Sequence, residues 1–293
     1  MPSPSASAII RLITYNIRLQ IPSGWTAPGE EPWSARCEKL CGQLKFMTAG
    51  RTSPFICLQE VTHPQLLDIQ ASLGSNWGYI GLGRDDGERG GEYCPVFFRT
   101  DHWQCERHET SWLSPTPENP GSKGWDAPVA RVVSAGLFHH NETSSRIVVM
   151  STHLDFEGKV AREESAHLLL KLAGRWLDGS HGPAEFPVFL GGDFNSDRNS
   201  AAYKTLSAPD GMADISGLVP EALKYGHPEI TYTGFLGREE DARKIDFLFV
   251  LGQQALEFLT FGILPNRFDD GVFLSDHRPV VADIDLGKAN GGH

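Results

Sequence analysis

The sequence predicts an α/β protein in which short strands dominate and helices are interspersed. Three observations predict it. Short apolar runs recur along the chain and stop at polar residues, as buried strands do. Segments with apolar residues at helical spacing lie between them. No linker, internal repeat or low-complexity tract divides the 293 residues. Residues 9–286 are therefore expected to form one domain, between a small polar N-terminal tail (1–8) and a loose C-terminal end (287–293).

Ile9 to Tyr15 alternates apolar and polar residues in part, like a half-buried strand, and ends at Asn16. Trp33 to Met47 carries Cys37, Leu40, Cys41, Leu44 and Met47 at helical spacing. Phe55 to Leu58 is a short apolar strand that stops at Gln59-Glu60. A helix is expected to follow Pro64, which presets the backbone of a first turn, and to stop near Gly74. Tyr93 to Arg99 reads as a strand. Thr110 to Pro128 reads as a long loop rich in Pro, Gly and Ser, a length uncommon unless the loop is mobile or functional. Ile147 to Met150 is a strand that runs into Ser151-Thr152-His153. Val160 to Leu177 is the clearest helix, with Leu168, Leu169, Leu172 and Trp176 on one stripe. Val188 to Leu190 delivers Gly191-Gly192-Asp193, Ile245 to Leu251 begins beside Asp246, and Val280 to Ile284 closes the set.

The composition narrows the function classes. An apolar fraction of 40% supports a large core, and a charged fraction of 22% is ordinary. The formal charge of −11 argues against broad gripping of duplex nucleic acid, where affinity comes from neutralising phosphates, but leaves room for a local basic pocket. The five cysteines include no Cys-x-x-Cys pair, so a structural zinc site is not expected and the compartment reads as reducing. The start lacks the pattern of a signal peptide, and no apolar run approaches the ~20 residues of a membrane span. The expectation is an intracellular, cytoplasmic monomer.

Polar residues at the ends of the apolar runs carry the chemistry. Asn16, Glu60, His153, Asp193 with Asn195, and Asp276 with His277 each follow or adjoin such a run. A strand fixes the direction of the residue after it, so separate segments can build one rigid site. Carboxylates, imidazoles and an amide in such a set suit metal-assisted hydrolysis of a phosphate ester. In isolation, each also has a structural reading: Asn16 as a turn residue, Glu60 as an exposed charge, and Asp193 as an Asx turn.

Taken in order, Thr14-Tyr15-Asn16-Ile17, Leu58-Gln59-Glu60, Thr152-His153-Leu154-Asp155, Gly192-Asp193-Phe194-Asn195, Ile245-Asp246-Phe247 and Ser275-Asp276-His277 resemble the motif series of the endonuclease/exonuclease/phosphatase superfamily. The resemblance spans nearly the whole chain. It implies a four-layer αββα sandwich, with two mixed sheets face to face, helices outside and the site at one rim. It implies Mg²⁺ held by Glu60 and Asp276, with Asn16 on a metal-bound water or the phosphate; Mn²⁺ is expected to substitute. Asp193 would accept a proton from the attacking water and Asn195 would orient that water. His277, oriented by Asp246, would bind a non-bridging oxygen or move a proton. His153, oriented by Glu92, would stabilise charge in the transition state. Arg99, Lys123 and Arg131 are candidates for phosphate contact, and Trp112 and Trp125 for stacking on a base or sugar or for anchoring the core.

The motifs give the reaction and leave the substrate open. A phosphodiester, either a short single-stranded nucleic acid or a small diester, comes first. A sugar- or inositol-phosphate monoester is the alternative, and a non-catalytic binding module on the same fold comes third.

Overall fold

A computed structural model describes residues 8–21, 24–177, 186–227, 229–253 and 255–287. The tails expected at 1–8 and 287–293 lie outside the described residues, apart from Ala8 and Gly287. In chain order the first half contains β1 (Ile9–Asn16), α1 (Trp33–Thr48), β2 (Ser53–Gln59), α2 (His63–Leu73), β3 (Trp77–Ile80), β4 (Val96–Arg99), β5 (Trp103–Trp112), β6 (Val132–His140) and β7 (Arg146–His153). The second half contains α3 (Lys159–Leu177), β8 (Val188–Asp193), α4 (Ala201–Leu206), β9 (Ala213–Asp214), α5 (Ile215–Leu218), β10 (Lys224–Gly226), β11 (Asp246–Leu251), β12 (Glu257–Ile263) and β13 (Val280–Asp285).

The strands form two mixed sheets, ordered β10-β12-β13-β1-β2-β4-β3 and β5-β6-β7-β8-β11-β9. Side-chain alternation then builds four layers. Leu12, Phe55 and Cys57 of the first sheet pack against Phe138, Val149, Phe189 and Leu248 of the second. Their neighbours Ile13, Ile56 and Leu58 face outward, under Leu40 and Leu44 of α1 and Leu66 and Ile69 of α2. Val148, Met150, Leu190 and Phe247 face out from the second sheet under Leu169, Leu172 and Trp176 of α3. Both faces of the central strands are buried, so their sequences read as unbroken apolar runs. The order of layers is the αββα sandwich. No helix among the described residues is long and apolar enough to cross a membrane.

Several elements differ from the pattern expected of the sequence. The strand expected over Tyr93–Arg99 is regular only from Val96, because Pro95 has no N–H for the ladder. Tyr93 instead makes an isolated bridge with Val61. The expected loop from Thr110 begins three residues later, after Trp112, where β5 ends. Strand β5 hides in the sequence because Trp103-Gln-Cys-Glu-Arg-His-Glu is mostly polar; it is an edge strand.

Topology gathers one rim. Strands β1 and β2 run parallel, as do β7 and β8, so their C-terminal ends lie together in pairs. Strand β11 runs antiparallel to β8 with Asp246 opposite Asp193. Strand β13 runs antiparallel to β1 with Val280 opposite Thr14, which brings its first residues to the same end.

Candidate active site

Loops at this rim surround a cavity of about 480 Å³ lined by Glu60, Glu92, Arg131, His153, Asp193, Asn195, Asp276 and His277, among others. Gly192 lets strands β7 and β8 close behind it. A Cβ there would stand 2.6 Å from the Thr152 carbonyl oxygen, so only glycine fits immediately before Asp193. Glu60, Asn195 and Arg18 have positive φ angles of 60°, 44° and 61°. Non-glycine residues avoid that region, and its use at three cavity residues marks a site where side-chain direction outweighs backbone preference.

Asn16 bridges the two sheets. Its Nδ2 donates to Glu60 Oε1 at 3.0 Å and to Asp193 Oδ2 at 2.9 Å, while its Oδ1 accepts the Arg18 N–H at 3.0 Å. The amide oxygen is thus taken by the backbone, and Asn16 braces two carboxylates. Ser275 holds the last motif to β1 by donating to the Asn16 carbonyl at 2.6 Å. Buried Arg36 fastens the same corner from beneath, donating to the Ile17 and Leu274 carbonyls at 2.9 and 2.7 Å, to Arg18 at 3.2 Å and to Glu31 at 2.9 Å.

Asp193 lies between two imidazoles, with Oδ2 3.4 Å from His153 Nε2 and 3.6 Å from His277 Nε2. Its Oδ1 accepts the Asn195 N–H at 2.9 Å. Burial, and then the charge of Asp246, raise its pKa to about 7. His277 turns Nδ1 toward Asp246 Oδ2 at 2.9 Å. Burial pulls its pKa down, but the charges of Asp246 and Asp193 outweigh this and raise it to about 10. His153 goes the other way. Burial, then Arg131 and Arg84, push it well below its ordinary value and leave a neutral ring. Asn195 Nδ2 meets its Nε2 at 2.9 Å, and Glu92 Oε2 stands 3.9 Å from its Nδ1. Burial, then the charge of Glu60, raise Glu92 to about 7.

Two groups of residues could hold a cation. One oxygen each of Asp193 and Asp246 and a ring nitrogen of His277 lie within 4.8 Å of one another. The His277 imidazolium already balances charge there, so a cation would have to displace a proton. Glu60 and Asp276 are a better fit to a hard divalent ion, which prefers carboxylate oxygen. Both line the cavity. Burial raises the Asp276 pKa, and Glu60 raises it further, a repulsion that a cation would relieve.

Three residues singled out in the sequence are not brought to the cavity. Arg99 turns to Asp101, with Nη2 2.5 Å from Oδ2. Lys123 Nζ donates to the Pro128 carbonyl at 2.7 Å. Trp125, partly exposed on the same loop, is not among the lining residues. The cavity also holds residues that the sequence reading passed over: Arg18, Arg84, Phe156, Tyr232 and Arg243. Of these, Arg18, Phe156 and Arg243 carried a signal, because each lies within three residues of a motif residue. Arg84 and Tyr232 come from loops with no motif of their own.

The sequence matches the profile of the Endonuclease/Exonuclease/phosphatase family over residues 13–277. No curated protein gives a significant match. Among solved structures, an endonuclease/exonuclease/phosphatase from Bacteroides vulgatus is 31% identical, with a TM-score of 0.83 over 95% of this chain and 99% of its own. A mannosyl-6-phosphatase from Bacteroides thetaiotaomicron is 26% identical, with a TM-score of 0.80 over 94% of this chain and 99% of its own. The catalytic domain of human nocturnin shares the fold at 17% identity, with a TM-score of 0.66 over 94% of both chains.

Proposed function

The chain belongs to the endonuclease/exonuclease/phosphatase family and is a phosphoester hydrolase; from that premise we propose that it hydrolyses the phosphate ester of a small molecule by in-line attack of water, with a divalent cation held by Glu60 and Asp276. The observation that carries this reading is the Asp193 carboxylate. It is buried, raised to about 7, and 3.4 and 3.6 Å from two imidazoles of opposite protonation preference. A group titrating near neutrality can take a proton from water and release it again.

Each residue then has a task. Asp193 accepts the proton of the attacking water, while the Asn195 N–H holds one of its oxygens in place. The His277 imidazolium, oriented by Asp246, donates to a non-bridging oxygen or to the leaving group. His153, backed by Glu92 and neutral, lies against Asn195 on the other flank of Asp193. Mg²⁺, with Mn²⁺ as a substitute, would supply Lewis-acid stabilisation of charge on the phosphoryl oxygens. Asn16 keeps Glu60 and Asp193 apart and aligned.

The small substrate is favoured by one compact cavity in a chain of net charge −11. The mannosyl-6-phosphatase relative supports a sugar phosphate. A phosphodiester such as a short single-stranded nucleic acid is the second reading, favoured by Phe156, which lies 56% exposed at the cavity rim and offers a face for stacking.

The test is hydrolysis of p-nitrophenyl phosphate and bis-(p-nitrophenyl) phosphate with Mg²⁺, Mn²⁺ or EDTA, for wild type and Asp193→Asn. Metal-dependent cleavage that falls by orders of magnitude in the variant supports the reading. Undiminished cleavage in Asp193→Asn would remove Asp193 as the base.

A further inference from the structure

Arg131 lines the cavity as a side chain that is clamped, buried and incompletely paired. The residue is only 5% exposed. Its Nε meets Asp155 Oδ2 at 3.2 Å, and its Nη1 is buried without a hydrogen-bond partner. Asp155, itself 1% exposed, is locked by the Glu157 and Gly158 N–H groups, which donate to its Oδ1 at 3.0 and 2.7 Å. The Phe156 ring lies 5.7 Å from the guanidinium carbon. A guanidinium is a rigid fork of five donors, and burying one with a free arm is unfavourable unless a ligand completes it.

A second guanidinium lines the same cavity. Arg84 pairs Nη2 with Glu92 Oε1 at 2.7 Å, and its Nε is also buried without a hydrogen-bond partner. The Trp112 indole donates to the Arg84 carbonyl at 2.6 Å and fixes this loop. Arg131 and Arg84 line the cavity together with His153, and their charges add to burial in lowering its pKa.

We propose that Arg131, with Arg84 lining the same cavity, forms a subsite for a terminal oxygen of the scissile phosphate, so that this enzyme selects phosphate monoesters over diesters. The proposal rests on the phosphoester-hydrolase reading of the same cavity. A monoester near neutral pH presents three terminal oxygens and up to two negative charges. A diester presents two such oxygens and one charge, and carries a second ester group in place of the third. A guanidinium tethered to a locked, buried carboxylate cannot swing away to admit that group. It can donate a charge-assisted pair of hydrogen bonds to an oxygen there. In the reaction, the P–O bond to water forms as the P–O bond to the alcohol breaks. The water proton passes to Asp193, the His277 imidazolium gives its proton to the alcohol oxygen, and inorganic phosphate is left in the subsite.

The experiment compares kcat/KM for the mono- and bis-(p-nitrophenyl) esters in wild type, Arg131→Met and Arg131→Lys, and adds calorimetry of inorganic phosphate binding in EDTA. Wild type should prefer the monoester. Arg131→Met should lower the monoester-to-diester ratio by roughly 10²–10³, the loss typical of removing one transition-state donor. Arg131→Lys keeps the charge beside Asp155, and so the fold, but loses the fork; its ratio should fall by a smaller factor. It should also weaken phosphate binding in EDTA. Equal losses on both esters in Arg131→Lys, or unchanged phosphate binding, would overturn the subsite. If wild type cleaves neither ester, the hydrolytic reading fails, and phosphate calorimetry still judges the subsite. Binding that Arg131→Lys weakens upholds it, and absence of binding to wild type overturns it.

Discussion

His277 Nδ1 stands 2.9 Å from Asp246 Oδ2, and both residues are buried. Asp246 has its other oxygen buried without a hydrogen-bond partner, so the pair is held by charge more than by a full set of bonds. With Asp193 on the opposite side of the ring, His277 is an imidazolium through the neutral range.

Replacing Asp246 by Asn removes the nearest negative charge, so the His277 pKa must fall from about 10. The alkaline limb of the kcat/KM profile should move to lower pH, and turnover should drop by roughly 10²–10⁴ if His277 acts as an acid. Steady-state rates between pH 6 and about 10 check this. A limb that stays in place would assign the limb to another group.

Asn16→Ala acts in the opposite direction on Asp193. The Asn16 hydrogen bond favours the ionised carboxylate, so its loss should raise the Asp193 pKa. The acid limb of the profile should shift upward while activity at high pH is partly kept. An unmoved acid limb would separate Asp193 from the titration that sets it.

Glu60→Gln keeps the shape of the side chain and removes its charge. The Mg²⁺ concentration for half-maximal activity should rise by at least the roughly 10–100-fold typical of losing even an outer-shell partner. Metal titration of activity, paired with calorimetry of Mn²⁺ binding, distinguishes a lost ligand from a lost catalyst. An unchanged midpoint would take Glu60 off the ion.

Arg36→Met tests the clasp beneath the site. Leaving a buried acceptor without a donor costs about 1–3 kcal/mol, and four carbonyls lose theirs, so a destabilisation above about 3 kcal/mol is expected in urea unfolding. Both the Ile17 and Leu274 tethers go at once, so kcat should fall in the fraction that remains folded.

His140 predicts a pH dependence of stability away from the site. Burial holds its pKa below the ordinary value. Its Nδ1 accepts the Glu142 and Thr143 N–H groups at 3.3 and 3.2 Å, and its Nε2 meets Ser53 Oγ at 3.2 Å. A depressed histidine pKa means that the unfolded chain binds the proton more readily. The contribution is therefore complete above about pH 6.5 and is lost as pH falls below it. Urea unfolding at pH 7.5 and at about pH 5 should show a larger drop for wild type than for His140→Gln.

The sequence alone marked strands β1, β2, β4, β7, β8, β11 and β13 and the polar residues at or near their ends. That information is local: an apolar run stops at a polar residue at the strand's end, as with Asn16 at the end of β1 and Asp193 at the end of β8. It also carried the αββα sandwich, through the ordered series of motifs. Strands β3, β5, β6, β9, β10 and β12 escaped notice; edge strand β5 did so because its exposed face leaves a mostly polar sequence. Only the tertiary structure decided which loops meet. Arg84 and Tyr232 reach the cavity because sheet order brings their loops to one rim, and nothing in their own neighbourhoods marks that destination. Arg99 and Lys123 are spent on Asp101 and the Pro128 carbonyl. Arg131 is likewise read correctly only in three dimensions, since its free, buried arm is a property of what surrounds it.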